Sequence, residues 1–361
     1  MTRAPGEAYS PLDRFLHKLA FSGIEVQKSL ADIEDRMHGA RLGAIDVSRP
    51  VFIASLPRAG TTLLLELVTK SSVFVSHTYR SMPFVLCPIL WDSISRGFHR
   101  TSSAKERAHG DGMSVGFDSP EAFEEVLWKA FWPQKYDGGI SLWSAEDRNE
   151  EFEDFFRSHL KKLIVLSGGT GGIQPRYVSK NNANIARLPL LRCLFPDASI
   201  LVPFRDPVDQ AGSLLRQHTR FVEIHREDAF ARWYMEAIGH YEFGEGLRPI
   251  RFPQMPPAIP ATNPMRGDFW LAYWINAFSH VIGLSNQGIG FVDFDRMCAD
   301  PLPAVEGIAR TLQIEDAALL KAAAVALHPS VRYDPAELGF DPGLLAQARA
   351  LYGELRARAI N

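Results

Sequence analysis

The clearest pattern in the chain is a series of short apolar runs without alternation, each ending at a polar turn that leads toward an apolar stripe of helical spacing. Residues 51–54 stop at Ser55-Leu56-Pro57, and Gly60-Thr61-Thr62 then opens the periodic segment 63–68. Residues 199–203 stop at Phe204-Arg205-Asp206-Pro207 and are followed by a second periodic segment carrying Ser213. Residues 177–180 and 289–294 repeat the strand-like pattern, and 73–75 supply a shorter piece. Runs of this length bounded by turn residues read as buried strands, and their alternation with helices indicates one large α/β domain.

Helical periodicity marks the remaining elements. Residues 9–43 read as one or two amphipathic helices packing on the main domain, and further helices are expected at 83–96, 147–166, 185–195 with a break at Pro189, 268–286, 301–312, 315–327 and 342–358. The polar stretch 97–120 and the Gly/Pro-rich stretch 244–264 are longer than ordinary connections, a length typical of functional loops. Between them, Phe123, Trp128, Phe131, Trp132, Tyr136 and Trp143 read as the packed core of an insertion, with an aromatic acceptor pocket as the competing reading. The Gly-rich run 167–172 follows a helix and precedes a strand, which makes it a connector rather than a phosphate loop.

Composition narrows the function classes. With 46% apolar and 22% charged residues this is an ordinary globular chain, and 39 basic against 42 acidic residues, a net charge of −3, give no basic excess for nucleic acid or a membrane surface. No run approaches the ~20 apolar residues of a membrane span. Cys87, Cys193 and Cys298 are widely spaced, without zinc-ligand spacing, and read as buried free thiols of a reducing compartment; cytoplasmic residence is the resulting expectation.

The chemistry concentrates at the carboxyl ends of the strands, where open α/β sheets bind ligands. In the loop after the first strand, Pro57, Arg58, Ala59, Gly60, Thr61 and Thr62 form an anion cradle of backbone N–H groups, a helix N-terminus, a guanidinium and two hydroxyls. A nucleotide P-loop places Lys after its second Gly and a Mg²⁺-binding hydroxyl next; here Thr61 takes the lysine position and the cation has moved back to Arg58, which favours a metal-free anion over a triphosphate. Arg205, at a strand end with Ser213 eight residues later, suits a second phosphate. Pairing of Arg205 with Asp206 or Asp209 is the alternative. Lys180-Asn181-Asn182 ends a further strand on the same rim, as does the segment 77–80.

Taken together, Pro57-Arg58-Ala59-Gly60-Thr61-Thr62, Lys180-Asn181-Asn182, the Arg205-Asp206-Pro207 turn with Ser213, and the strand and turn of residues 291–301 resemble the sulfotransferases that use 3′-phosphoadenosine 5′-phosphosulfate (PAPS), in the form of the bacterial and tyrosylprotein-type branches. The resemblance spans about residues 50–312. It implies a three-layer P-loop NTPase-like α/β fold, with a central mostly parallel sheet, helices on both faces and helical insertions. On that basis residues 1–48 form an N-terminal helical extension, 49–330 the α/β domain with insertions at 97–143 and 244–264, and 331–361 a C-terminal helical segment packed on it. It further implies that Arg58 to Thr62 hold the 5′-phosphosulfate, that Arg205 and Ser213 hold the 3′-phosphate, and that Lys180 lies near the transferring group. Leu63 stands where an aromatic residue often follows the threonines, and Phe294 stands where a Tyr occurs in the tyrosylprotein branch.

Sulfuryl transfer needs charge stabilisation, for which Arg58 and Lys180 are the candidates without a metal, and a hydroxyl acceptor needs a general base. His77 occupies the region where the tyrosylprotein branch carries a Glu, and its ordinary pKa suits the task; a structural His at the strand end is the competing reading. His109 and Asp111 of the long loop are rivals. The expected acceptor is a small molecule or a side chain, apolar or aromatic in character. A P-loop kinase or NTPase, with Asp293 or Asp295 as a Mg²⁺ ligand, and a non-catalytic nucleotide-binding protein are the alternatives.

Overall fold

The computed structural model of the protein describes residues 11–95, 105–106, 114–115, 122–168, 174–253, 263–284, 288–328 and 331–361. Two helices, α1 (Pro11–Ser22) and α2 (Ile24–Gly43), precede β1 (Val51–Ile53) and α3 (Thr61–Val68). Next come β2 (Phe74–Val75), α4 (Pro88–Ser95), the two-stranded antiparallel pair β3 (Lys105–Glu106) and β4 (Ser114–Val115), then α5 (Glu124–Phe131) and α6 (Glu150–Ser167). The second half holds β5 (Arg176–Lys180), α7 (Leu188–Leu194), β6 (Ser199–Phe204), α8 (Pro207–Glu227), α9 (Ala229–Ala237), α10 (Gly267–Gly283) and β7 (Ile289–Asp293). The chain ends with α11 (Phe294–Ala299), α12 (Pro301–Leu312), α13 (Ala318–Ala324), α14 (Pro335–Leu338) and α15 (Pro342–Ala357).

Strands of the main sheet run in the order β2-β5-β1-β6-β7, all parallel. The apolar runs have no alternation because both faces are covered. Along β1, Phe52 joins the larger core with α5, α6, α8 and α10, whereas Val51 and Ile53 join the core with α3, α12 and α13. From β1 the chain proceeds to the β2 edge, and from β6 to the β7 edge. The crevice between the carboxyl ends of β1 and β6 is therefore a topological switch point, where such sheets bind ligands.

Several boundaries differ from the periodicity, each for a local reason. Helix α4 begins at Pro88 instead of 83, since a residue before proline avoids the α region and Pro fits a first helical turn. Pro189 likewise sits in the first turn of α7 and follows a 3-10 turn, Asn182–Ala186, so it starts the helix instead of breaking it. Cys193 is exposed, unlike Cys87 and Cys298, which corrects the expectation of three buried thiols; all three are free. The aromatics of 123–143 pack as core: Phe123, Trp128, Trp132, Tyr136 and Trp143 are buried and Phe131 packs against them. The connector 169–173, most of 97–120, including His109 and Asp111, and residues 254–262 lie outside the described residues. Among the described residues no helix is long and apolar enough to cross a membrane.

Two buried polar systems tie the helical layer to the sheet. Lys162 of α6 pairs with Glu34 of α2 at 2.9 Å and donates to the Ala31 carbonyl at 3.0 Å, while Glu34 accepts from the Leu90 N–H at 2.6 Å. Asp35 is a second, half-exposed partner of Lys162 at 3.0 Å. The other system contains His77, whose side chain is only 1% exposed. His77 Nε2 lies 2.8 Å from His159 Nε2 and its Nδ1 lies 3.3 Å from the Tyr177 hydroxyl, which in turn bonds Glu124 Oε2 at 2.9 Å. With Tyr177 donating to the carboxylate, its oxygen accepts from His77 Nδ1–H, and His77 Nε2 accepts from His159. Both ring nitrogens are thus committed inside the core. Burial pushes the His77 pKa down to about 3, and burial followed by the nearby His77 pushes His159 well down.

Glu34→Ala strands the Lys162 ammonium with only Asp35 and a carbonyl for company, and breaking a buried pair by removing one partner costs about 3–5 kcal/mol; urea unfolding at pH 7.5 is expected to show a loss of that size. The His pair makes stability pH-dependent. Its neutral form contributes fully above the unfolded-state pKa near 6.5, and the contribution is lost as pH falls from there toward 3, because the unfolded chain takes up protons that the folded one refuses. The urea midpoint of the wild type is expected to fall between pH 7.5 and pH 5, and the slope is expected to be shallower in His77→Gln.

Candidate functional site: an anion cradle, a second clamp and a pocket

The cradle is the tight connection from β1 to α3. Ala54 N–H bonds the Leu201 carbonyl at 2.9 Å and the Ser55 hydroxyl bonds the Pro203 carbonyl at 2.5 Å, so the loop leaves the sheet pinned to β6. Arg58 and Gly60 take left-handed backbone angles, φ 67° and 80°. Gly60 caps α3, and a Cβ there would lie 2.1 Å from Cδ2 of the Phe294 ring. Only glycine fits both the angle and the ring. Phe294, which stands where the tyrosylprotein branch has a Tyr, is the back wall of the cradle.

The structure brings Arg58 and Ser213 together, although 155 residues separate them: Arg58 Nε donates to Ser213 Oγ at 3.0 Å. Asp206 accepts from the Val208 and Asp209 N–H groups and so fixes the start of α8, which carries Ser213 to this position. Arg205 is buried, with its guanidinium carbon 5.9 Å from the centre of the Phe294 ring, the same ring that backs Gly60. Its Nη2 donates to the Val331 carbonyl, and its buried Nε has no hydrogen-bond partner among the described residues. Burial lowers its pKa, with Asp209 and Asp295 opposing. A buried cation lacking a full set of acceptors is a site for an anion. Asp206, as helix cap, and Asp209, which accepts from Arg332 Nη1 at 2.7 Å and the Tyr333 N–H at 2.8 Å, each make their hydrogen bonds elsewhere.

Lys180 enters the same rim through strand register: it stands opposite Ile53, and the next residue, Asn181, donates its N–H to the Ile53 carbonyl at 3.0 Å. Thr61 donates to Asn182 Oδ1 at 3.4 Å, and Asn182 Nδ2 donates to Glu242 Oε1 at 2.9 Å. This chain leads from the cradle into a narrow, partly enclosed pocket that begins at Leu56 and Pro57. Ile140, Leu247, Ile250, Trp270 and the Tyr273 ring give it apolar walls, and Glu125, His240, Tyr241, Glu242, Arg248 and Tyr273 are its ionisable residues.

His77 does not reach this pocket. Both of its nitrogens are bonded inside the core and burial lowers its pKa to about 3, whereas a base must touch its substrate's proton and hold a pKa near the working pH. Sequence reading placed Asn182 on the rim but missed Glu124, Glu125 and Glu242. Glu125 accepts from Arg187 twice (3.0 and 2.8 Å), from Tyr136 and from Asn181 (2.7 Å), while Glu124 accepts from Trp128 (3.0 Å), Tyr177 and Asn184 (2.9 Å). The available signal was two adjacent carboxylates inside the otherwise apolar run 122–128, unusual unless paired. Asp293 caps α11 and pairs with Arg356 at 3.0 Å, and Asp295 accepts from the Asp206 N–H and the Tyr352 hydroxyl. Both candidate Mg²⁺ ligands are therefore held by protein groups.

This geometry agrees with the comparisons to known proteins. The sulfotransferase family matches residues 50–254, which contain the cradle, the Lys180 turn, Arg205, Ser213 and Glu242. Among solved structures, sulfotransferase STF9 from Mycobacterium avium superposes with a TM-score of 0.56 over 96% of this chain and 86% of its own, at 16% identity. Sulfotransferase STF1 from Mycobacterium tuberculosis H37Rv gives a TM-score of 0.53 over 96% of this chain and 87% of its own, at 14% identity. No curated protein matches the chain. At these identities the two structures speak to the fold, a P-loop-like α/β architecture; the family match covers more than half of the residues, and the chain belongs to the sulfotransferase family.

Proposed function

We propose that the protein transfers a sulfuryl group from PAPS to the hydroxyl, or an amine, of a small-molecule or side-chain acceptor, releasing 3′-phosphoadenosine 5′-phosphate (PAP). The observation that carries this reading is the convergence of two anion sites on one crevice. Arg58, from the cradle, touches Ser213, from the second clamp, and Arg205 and Gly60 share the Phe294 ring. A donor with one phosphate ester at the 5′ position and another at the 3′ position matches two adjacent cationic sites. A linear triphosphate with Mg²⁺ would instead use a lysine at the position of Thr61 and a free carboxylate.

In this reading the N–H groups of residues 57–62 and the Thr61 and Thr62 hydroxyls orient the 5′-phosphosulfate, while Arg205 and Ser213 fix the 3′-phosphate. Arg58 and Lys180 neutralise the charge that gathers on the bridging oxygen as the sulfur–oxygen bond breaks. The acceptor approaches from the pocket beyond Leu56 and Pro57, on the side opposite the leaving phosphate. Its apolar walls favour an acceptor with an apolar skeleton. Cytoplasmic residence fits the three free cysteines.

Calorimetric titration tests the donor: PAP is expected to bind without added metal, and Mg-ATP to bind far more weakly; the reverse order sinks the proposal. Arg205→Ala removes a charge-assisted contact, whose loss is about 2–3 kcal/mol, so PAP affinity is expected to fall roughly 30- to 150-fold. Gly60→Ala forces a Cβ into the Phe294 ring, a strain of about 1–3 kcal/mol that distorts the cradle. PAP binding in Gly60→Ala is expected to drop by about tenfold or more, and adding Phe294→Ala to open the space is expected to recover part of it.

A further inference from the structure

The pocket beside the cradle holds two carboxylates in different states. Glu125 is saturated by Arg187, Tyr136 and Asn181. Glu242 is half-buried, and Asn182 Nδ2, at 2.9 Å from Oε1, is the one hydrogen-bond donor to its carboxylate among the described residues. Asn182 is itself the acceptor of the Thr61 hydroxyl, at 3.4 Å. Two hydrogen bonds therefore join Glu242 to the first residue of α3, where the donor's 5′ end is held in the reading proposed above. His240, the other candidate base on the pocket wall, points its Nε2 at the Ala122 carbonyl, 3.2 Å away, and has no such link to the cradle.

We infer that Glu242 is the catalytic base of the transfer and that the pocket takes an uncharged alcohol or phenol; this rests on the PAPS reading. The acceptor's hydroxyl proton passes to Glu242 Oε2 while its oxygen forms the new bond to sulfur. The bond from sulfur to the 5′-phosphate oxygen breaks, and its electron pair leaves with PAP. Asn182 holds Oε1 and leaves Oε2 for the acceptor, whereas four hydrogen bonds occupy both oxygens of Glu125. An anionic acceptor is disfavoured by the two carboxylates. The one guanidinium on the wall, Arg248, is turned to the Tyr136 carbonyl at 2.9 Å and lies 4.4 Å over the Tyr241 ring.

The test is a single-turnover reaction with enzyme in excess over ³⁵S-labelled PAPS, using phenol as the probe acceptor and water where phenol is omitted. Glu242→Gln keeps the shape and an oxygen for Asn182 but loses the base. Sulfuryl loss from the donor is expected to slow roughly 100-fold, the usual scale of a positioned base, with PAP affinity within about twofold of wild type. An acid limb in the wild-type rate profile is expected to be absent from Glu242→Gln and present in Glu242→Asp, which recovers part of the rate. Because His240, Tyr241, Tyr273, Glu125 and Arg248 also line the pocket, the limb is assigned by its loss in the variant. Equal rates in wild type and Glu242→Gln overturn the inference, as does a slowed variant that retains the acid limb; loss of the rate in His240→Gln alone moves the role to His240. Failure of the wild type to bind PAP would instead sink the donor reading.

Discussion

The site depends on the parallel pairing of β1 between β5 and β6. Because Ile53 stands beside both Lys180 and Leu201, β1 and β5 end at one level while β6 runs on to Phe204, and the residues that follow the three strands gather at the carboxyl edge of the sheet. The backbone bonds from Ala54 to Leu201 and from Asn181 to Ile53 continue this pairing one residue past the strands. A one-residue slip would invert the alternation of β1, moving Phe52 out of one core and Ile53 out of the other. Two dissimilar cores, one built on α3, α11, α12 and α13 and the other on α5, α6, α8 and α10 among others, therefore enforce the register that aligns the strand ends at the candidate site.

A second constraint is the density of charge in the larger core. Glu34, Lys162, Glu124, Glu125 and Arg187 are almost fully buried. Buried charges contribute little net stability even when paired, but removing one partner is costly, so such groups specify geometry more than they strengthen the fold. Arg187 lies 4.4 Å from the ring centres of both Trp128 and Trp143 and grips Glu125 with two N–H groups, which locks the start of α5 against the turn after β5. Asn181 and Asn184 extend that lock to the rim residues beside Lys180. The pocket wall is thus rigid on the side that adjoins the cradle.

Much of this was legible in the sequence, because short apolar runs, proline-marked helix starts and a glycine between Arg58 and two threonines each carry a local physical meaning. Strands β1, β5, β6 and β7 were found that way, and Arg58 and Ser213, read as anion-binding, do meet at their carboxyl ends. What was not legible depends on contacts between distant segments. The ordinary pKa of an isolated imidazole suggested His77 as a base; only the packing of α6 against β2 and β5 reveals the His159 partner and the depressed proton affinity. Phe294 read as an absence, since its role is to fill the space that Gly60 leaves open. The pocket wall around Glu242 follows α9 in a stretch of irregular backbone without periodicity, and its relation to Asn182 is set by tertiary packing alone.

The contrast between Glu125 and Glu242 shows how environment divides two like groups. Three residues make four hydrogen bonds to Glu125, two of them from one guanidinium, and occupy both of its oxygens, while its neighbour Tyr136 has its pKa driven up, by burial first and then by that same carboxylate. Glu242 accepts one hydrogen bond from a neutral amide and faces a pocket whose walls are largely apolar. The inner carboxylate is thereby spent on holding α5 to the rim, while the outer one keeps an oxygen that no protein donor among the described residues occupies.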